Sequence, residues 1–330
     1  MTDRSHLTLR LLQNAPLILF LAVFVIFGAL APRFFSIQSV ENILKQASYI
    51  GIIAVGMTFV LLTAGIDLSV GSVMYLSAVV AGKLMLETNA PIWLGILAAI
   101  GVGLLCGLVN ALLITRLRII PFVATLATLA IGRGLGLTIS QSEGINYPDA
   151  ITAMGSTRVF GLLPLPIVIF GLVVLVAQIV LTQTAFGRQV YAIGNDLEAA
   201  KKAGINTRRI LTCVYCISGI CAAIGGIVLV AQFGIVTAGF GDKDEFDAIA
   251  AAVLGGTSLF GGRGSVFPGA VLGTVLTQMV VAGLIYTRVD IYLQPLVFGA
   301  IIFLAVLIDS VRNTQIVALE RRTIRTEKNA

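Results

Sequence analysis

Long apolar runs, separated by short polar or glycine-rich segments, repeat from one end of the chain to the other. Each run approaches the roughly 20 residues that an α-helix needs to cross a hydrocarbon core of about 30 Å. The apolar residues are continuous and do not alternate, which favours helices over the strands of a membrane barrel. The predicted spans are about Pro16–Ala31, Ala47–Ala64, Val70–Leu86, Ile92–Thr115, Pro121–Ser140, Pro164–Leu181, Ile210–Gln232, Ala248–Leu259, Val266–Leu284 and Tyr292–Ile308. The pattern therefore predicts an all-α membrane protein with about ten transmembrane helices.

The composition agrees with this class and predicts an orientation. Only 12% of the 330 residues are charged, about half of the share in soluble domains. Most of the 22 lysines and arginines fall on the side that holds both termini, next to spans. By the positive-inside rule, both termini and the central loop are cytoplasmic. This clustering also explains the net charge of +6 better than nucleic-acid binding does. We expect one domain over residues 1–330, with a cytoplasmic N-terminus (1–15), a membrane domain (16–309) and a basic cytoplasmic tail (310–330).

The polar interruption at residues 182–209 contains a short helix with its own start and stop signals. Asn195 or Asp196 can cap its start, and Gly204 can supply a left-handed stop. Between them, Glu198 precedes two lysines at the i+3 and i+4 positions. A helix of about two to three turns is not stable alone in water. We interpret it as a helix that docks on a second protein, in preference to a solvated loop helix.

Two glycine-rich segments are candidate elements of a transport path. Residues 65–71 (Gly-Ile-Asp-Leu-Ser-Val-Gly) separate two spans too closely to leave the membrane comfortably. Irregular backbone at membrane depth is tolerated where protein buries it or water lines it. A gate element and a tight turn with Asp67 as a helix cap remain equal alternatives. Residues 255–265 repeat the theme in the second half. The candidate path residues in and beside these segments are Asp67, Ser69, Ser72, Thr257 and Ser258.

Arg133 is a further candidate because it lies within a span. It stands about 18 Å along the helix from Pro121, by the rise per residue. A charge at that depth faces protein or water and is a functional candidate. A structural tie to backbone carbonyls or to a carboxylate such as Asp67 is an alternative.

Signatures of catalysis, nucleotide binding and metal binding are missing from the sequence. Gly256 and Gly261 have the spacing of a phosphate-binding loop, but Gly262 and Arg263 follow where that loop has Lys and Ser or Thr. The pair Cys213-x-x-Cys216 has no second cysteine pair, and the chain has one histidine. We therefore expect no enzyme activity, no metal and no cofactor in this chain.

Several sequence blocks together resemble the membrane permeases of ribose-type sugar ABC importers, in the branched-chain amino acid/ribose permease superfamily. These blocks are Gly56-Met57-Thr58, Gly65 to Ser72, Phe186-Gly187-Arg188, Tyr191 to Gly194, Ala199-Ala200, Gly204-Ile205, and Leu254 to Leu259 with Gly261-Gly262-x-Gly264. They cover the chain in order from the second span to the tenth.

The resemblance implies a multi-pass permease of the bacterial inner membrane that imports a monosaccharide or similar small polyol. Its implied partners are a double-cassette ABC ATPase, which binds the ATP and Mg²⁺, a periplasmic sugar-binding protein, and a second permease copy or paralogue in the lipid bilayer. The helix in the central loop then corresponds to the coupling helix that docks on the ATPase. The residues that the resemblance assigns to coupling are Asn195, Asp196, Leu197, Glu198, Ala199, Ala200, Gly204 and Ile205.

Two other functions remain open at this point. The first is an ion-driven secondary transporter that uses Asp67 and Arg133. The second is a membrane scaffold or receptor that transports nothing. The sequence does not identify the sugar, nor whether the two permeases of a pair are identical.

Overall fold

The computed structural model describes residues 15–290, 292–300, 303, 304 and 307. Its helices are α1 Ala15–Leu30, α2 Ile37–Leu62, α3 Val70–Thr88, α4 Ile92–Thr115, α5 Pro121–Ser140, α6 Asp149–Ser156, α7 Leu165–Gln183, α8 Ala185–Asn195, α9 Leu197–Lys202, α10 Thr207–Phe233, α11 Asp244–Leu254 and α12 Val271–Tyr286. The short elements are a 3₁₀ turn at Pro32–Phe35, a π turn at Val266–Ala270, and the strands β1 Ile145–Asn146, β2 Arg158–Val159, β3 Leu163–Pro164 and β4 Ile235–Val236. The strands form two antiparallel pairs, β1 with β4 and β2 with β3.

Seven helical segments in the described part of the chain are long and apolar enough to cross a membrane: α2, α3, α4, α5, α7, α10, and the π turn with α12. This finding confirms the predicted class, a multi-pass all-α membrane protein. α1 has 16 residues and is shorter than these. The predicted tenth span, 292–308, lies partly outside the described residues, so the count of ten stays a prediction.

Helix bounds follow local capping chemistry as well as hydrophobicity. α4 and α5 begin and end where the apolar runs predict, with Pro121 in the first turn of α5. α2 begins at Ile37, well before the predicted Ala47, because the hydroxyl of Ser36 accepts a hydrogen bond from the Ser39 amide at 3.2 Å. Polar residues in a first turn thus extend a helix beyond its apolar run.

The membrane helices form a buried centre and an outer layer. In the most apolar stretches of α2, α3 and α10, 78%, 72% and 72% of residues are buried. The corresponding shares for α4, α5 and α7 are 22%, 22% and 28%. α7 is suited to lipid contact, since its mean hydropathy is 2.7, whereas α5 is equally exposed with a mean hydropathy of only 1.6. The lower value of α5 comes from inward residues such as Thr125, Thr128 and Arg133, whereas its exposed residues are mostly apolar.

The region of the predicted eighth span, Ala248–Leu259, is a short helix followed by irregular backbone. α11 has 11 residues, which rise about 16 Å, roughly half of a hydrocarbon core. It ends at Leu254, before two glycines, and irregular backbone continues to Ser265. A run of turns, residues 237–243 (the turn segment), connects β4 to the start of α11. The predicted helix is thus displaced toward the N-terminus and shortened by the glycine segment.

Candidate functional site

The segment between α2 and α3 carries a buried carboxylate. Asp67 is 1% exposed, and its side chain accepts hydrogen bonds from the Ser69 amide at 3.0 Å, the Ser69 hydroxyl at 2.6 Å and the Ser218 hydroxyl at 2.7 Å. Ser69 occupies the position before α3, and its side chain makes no capping bond. The structure therefore gives Asp67 part of the role of a helix cap, while placing the turn inside the protein.

Two neighbouring helices complete this polar cluster. Asn110 of α4 donates to the Ser69 hydroxyl at 2.8 Å, and its own side-chain oxygen accepts from Thr128 of α5 at 2.7 Å. Sequence analysis missed Asn110, Thr128 and Ser218. Each of them is a polar residue within an apolar span, and such a side chain needs a hydrogen-bond partner in the protein or in water. That feature could have identified them as candidates. The cluster joins residues 63–69 to α4, α5 and α10.

The other candidate path residues do not form one lining surface. Ser72 is fully buried and donates to the Ser69 carbonyl at 2.8 Å. Thr257 is also fully buried, and its hydroxyl has no hydrogen-bond partner among the described residues. Ser258 is 4% exposed, and its amide bonds to the Arg263 carbonyl at 2.8 Å. All three are packed within the chain, so their proposed role in a path requires a conformational change.

Arg133 ties α5 to the turn segment that precedes α11. Its guanidinium donates to the Phe240 carbonyl at 2.6 Å and to the Ala238 carbonyl at 3.3 Å. It also lies 4.9 Å from the centre of the Tyr75 ring, in cation–π geometry. Of the two structural ties that the sequence allowed, the structure shows the one to backbone carbonyls. No ion pair joins Arg133 to Asp67 within the described residues.

The carbonyls that Arg133 satisfies belong to backbone outside regular structure. At membrane depth such groups need protein partners or water, because lipid offers no hydrogen bonds. The first turn of α11, which follows, contains Asp244, Glu245 and Asp247. Carboxylates at a helix N-terminus interact favourably with the positive end of the helix dipole. The turn segment and α11 together form a discontinuous element with polar groups at its break.

The polar interruption folds into two helices that we call the elbow, residues 185–205. Within it, α9 is a helix of six residues, shorter than predicted. Asp196 caps it by accepting from the amides of Glu198 at 2.9 Å and Ala199 at 3.0 Å. Glu198 pairs with Lys201 at 2.7 Å. Gly204 follows with φ of 82°, the left-handed conformation that its position predicted.

The elbow exposes one side and buries the other. Residues 195–199 are all exposed, whereas Ala200 is 4% exposed and belongs to the hydrophobic core that includes Ile193 and Val214. Ile205 packs against the same core. Of the residues that the resemblance assigns to coupling, Ala200 and Ile205 thus hold the elbow to the membrane domain, while Asn195 to Ala199 face outward.

The elbow contacts the end of α2 and the irregular segment 255–265 of the membrane domain. The Gly262 amide donates to the Leu62 carbonyl at 2.9 Å, and a Cβ added at Gly194 would overlap both of these groups. The Tyr191 hydroxyl donates to the Gly264 carbonyl at 2.8 Å. Burial raises the pKa of Tyr191 above its ordinary value, and the neutral phenol is the donor. Backbone atoms of the elbow, the end of α2 and the 255–265 segment therefore meet directly.

Comparison with known proteins gives a consistent result. Residues 39–306 match the family described as branched-chain amino acid transport system / permease component. The ribose import permease protein of Escherichia coli K12 is 37% identical over 306 residues, covering 91% of this chain and 94% of that protein. The fructose import permease protein of Rhizobium meliloti is 36% identical, covering 89% and 84%. The D-allose transport system permease protein of E. coli K12 is 35% identical, covering 88% and 89%. No solved structure matches the chain.

The fold and these matches define a class of protein, the membrane permeases of ABC importers. Within that class, the chain belongs to the branched-chain amino acid/ribose permease family, as a ribose-type sugar permease. This result confirms the resemblance inferred from the sequence blocks.

Proposed function

We propose that this chain is the membrane-spanning subunit of an ATP-driven importer for a monosaccharide or similar small polyol, in a bacterial inner membrane. The observation that carries the proposal is the elbow, whose exposed side faces outward and whose buried side contacts the end of α2 and the irregular segment 255–265. Permeases for ribose, fructose and allose are its relatives, which favours a sugar of that size.

The exposed side of the elbow is the proposed docking surface for a separate double-cassette ATPase. α9 has six residues, and a helix of that length needs tertiary contacts or a partner to be stable. Its buried side rests on Ala200, while residues 195–199 remain free to contact another chain. ATP and Mg²⁺ bind to the ATPase in this scheme, and the elbow transmits the movement of its cassettes.

The transmission route follows the contacts at the cytoplasmic face. A shift of the elbow displaces Leu62 at the end of α2 and the 261–264 backbone, since both touch it. Leu62 is followed in sequence by the segment that carries the Asp67 cluster, and the 261–264 backbone follows α11. Coupling requires that the ATPase bind the two conformations with different affinity. In this scheme, the elbow therefore matters for transport, whereas the sugar affinity resides in the periplasmic binding protein.

Ten membrane crossings and cytoplasmic termini are also part of the proposal. Arg133, which donates a hydrogen bond to the Phe240 carbonyl, lies about 18 Å along α5 from its first residue. From the region of Phe240, α11 then extends about 16 Å toward the segment that contains Gly262. In this proposal, the turn segment and α11 together cross the bilayer as one broken span. Discontinuous spans of this kind are typical of substrate pathways in transporters.

The outer face of α5 is the proposed contact with a second permease, identical or homologous. Small residues at Ala127, Ala130 and Gly134 are exposed along it, and a Cβ at Gly134 would meet open space. Small residues on a membrane helix allow close approach of another helix. The sugar path then lies between two copies, beside Arg133 and the break before α11.

The proposal is tested by purifying a tagged chain in mild detergent from its native host and identifying the proteins that accompany it. We expect a double-cassette ATPase, whose yield falls at least tenfold in Glu198→Lys. The matched control is Glu87→Lys, which reverses a charge at the far end of α3, where Glu87 pairs with Lys83. The control is expected to retain the ATPase.

Sugar uptake in cells separates the remaining outcomes. Uptake of ribose, fructose or allose that stops on ATP depletion supports the proposal. Uptake that continues without ATP and collapses with the ion gradient would replace it with an ion-driven transporter. An ATPase that binds both variants equally would show that the elbow is not the docking surface.

A further inference from the structure

A cavity of about 650 Å³ lies at the cytoplasmic boundary of the membrane domain, between the end of α4 and the α9–α10 connection. Three of its lining side chains are cationic: Arg118, Lys201 and Arg208. Ile114 and Leu211 line it as well, on the last turn of α4 and the first turns of α10. The cavity is therefore basic on one side and apolar on the other.

Two of the three cations have no anionic partner in the described part of the chain. The ion pairs found there join Lys83 to Glu87, Arg158 to Glu41 and Lys201 to Glu198. Arg118 and Arg208 belong to none of them, although both face the same cavity. A guanidinium presents a fork of donors that matches the oxygens of a phosphate. The charge of the cavity is thus suited to an anionic phosphate group.

The surroundings of the cavity indicate where such a phosphate comes from. The cavity lies beside the end of α4 and the start of α10, two helices that are long and apolar enough to cross a membrane. Exposed apolar side chains flank it, with Leu117 at 66% and Ile120 at 68% exposure. A phospholipid places a phosphate at this depth and acyl chains beside such residues. A soluble phosphate would gain nothing from the apolar wall.

We propose that this cavity binds the headgroup of an anionic phospholipid, with Arg118 and Arg208 contacting the phosphate. Lys201 and Leu197 of α9 line the same cavity, so the bound headgroup lies between α9 and the membrane domain. The lipid would then help to set the position of the elbow. This binding site does not depend on whether α9 docks on an ATPase.

The test is native mass spectrometry of the full chain in detergent, titrated with phosphatidylglycerol or with phosphatidylcholine of the same acyl chains. The variant is Arg118→Gln/Arg208→Gln. The matched control is Arg116→Gln/Arg209→Gln, which removes two neighbouring arginines that do not line the cavity. We expect phosphatidylglycerol to bind the wild type in preference to phosphatidylcholine. The cavity variant should bind it roughly 30-fold more weakly, at about fivefold for each basic side chain near the membrane surface. The control should bind it as the wild type does.

Four results would overturn the proposal. Equal losses in the two double variants would reduce the effect to general surface charge. Equal binding of the two lipids would remove the headgroup preference. Competition by inorganic phosphate at the lipid's own concentration would assign the site to a soluble anion, and competition by oligoglutamate alone would assign it to an acidic protein segment. Arg118→Lys/Arg208→Lys keeps the charge but loses the fork of donors, so it should bind phosphatidylglycerol more weakly than the wild type and more tightly than the glutamine variant. Binding at that intermediate level would show that the loss in the glutamine variant is not caused by misfolding.

Discussion

Replacing Gly194 by alanine should break the contact that the proposed mechanism uses to pass movement from the elbow to the membrane domain. A Cβ at this position would lie 2.5 Å from the Gly262 amide nitrogen, and closer still to the Leu62 carbonyl oxygen. Ordinary contacts of carbon are about 3.5 Å, so the backbone must separate by about 1 Å or more. Neither obstacle is a flexible side chain, which leaves no inexpensive adjustment.

The expected cost follows from two contributions. Overpacking against rigid neighbours costs about 1–3 kcal/mol. The Gly262–Leu62 hydrogen bond lies in the same contact and contributes about 0.5–1.5 kcal/mol when lost. A total of about 2–4 kcal/mol means that the conformation in which the elbow contacts Leu62 and Gly262 is populated at least tenfold less. Uptake should therefore fall at least tenfold while the chain still inserts and folds, because the overlap is local.

The control is Gly171→Ala on α7, where a Cβ would meet open space. The measurement is uptake of the sugar taken up by the wild type, together with the thermal midpoint of each purified chain. Gly171→Ala should transport normally, since surface changes usually cost less than about 0.5 kcal/mol. Normal uptake by Gly194→Ala would refute the transmission route, and a collapsed midpoint would show that the contact serves stability instead.

Three further predictions concern single residues. Gly204→Val should reduce co-purification of the ATPase, because the φ of 82° at this position costs an L-residue about 1–2 kcal/mol. Gly204→Asn should retain much of the co-purification, because asparagine tolerates this conformation. Equal losses in the two variants would argue against a backbone cause. Asp67→Leu should lower the free energy of unfolding by more than about 3 kcal/mol in a denaturant titration, since it leaves several buried donors unpaired; an unchanged value would contradict the structural role of Asp67. Arg133→Gln should increase hydrogen exchange at residues 237–243, because it weakens the bonds to the Ala238 and Phe240 carbonyls; unchanged exchange would show that this stretch is held by other contacts.

Regular apolar spans could be predicted from the sequence because their length and composition are set by the bilayer alone. α4 and α5 have the predicted bounds, since Pro121 starts one and charged residues follow the other. The start of α2 could not be found in this way. Its first turns are polar and depend on the Ser36 cap, which hydropathy does not register.

The sequence does not predict which groups serve as hydrogen-bond partners of the buried polar side chains. Arg133 was recognised as costly, but the carbonyls that satisfy it lie more than a hundred residues away, in backbone that no periodicity marks. Asp67 was recognised as a possible cap, whereas its bond to Ser218 depends on the packing of α10 against α3. Local signals such as the Asp196 cap and the Gly204 stop were readable because they involve neighbours in sequence.

Glycines allow the two irregular segments of the membrane domain to approach the elbow at one common contact. Gly261 has a φ of 85°, and a Cβ there would approach both Ala64, just after α2, and the Gly194 carbonyl of the elbow. The start of the Asp67 segment, the 255–265 segment and the elbow thus approach one another at a single point where side chains are nearly absent. Backbone atoms in direct contact cannot slide independently, because no side-chain rotation can absorb the displacement. In the proposed mechanism, one movement of the elbow therefore reaches the Asp67 cluster and the broken span together, which is what opening a path to one side while closing it to the other requires.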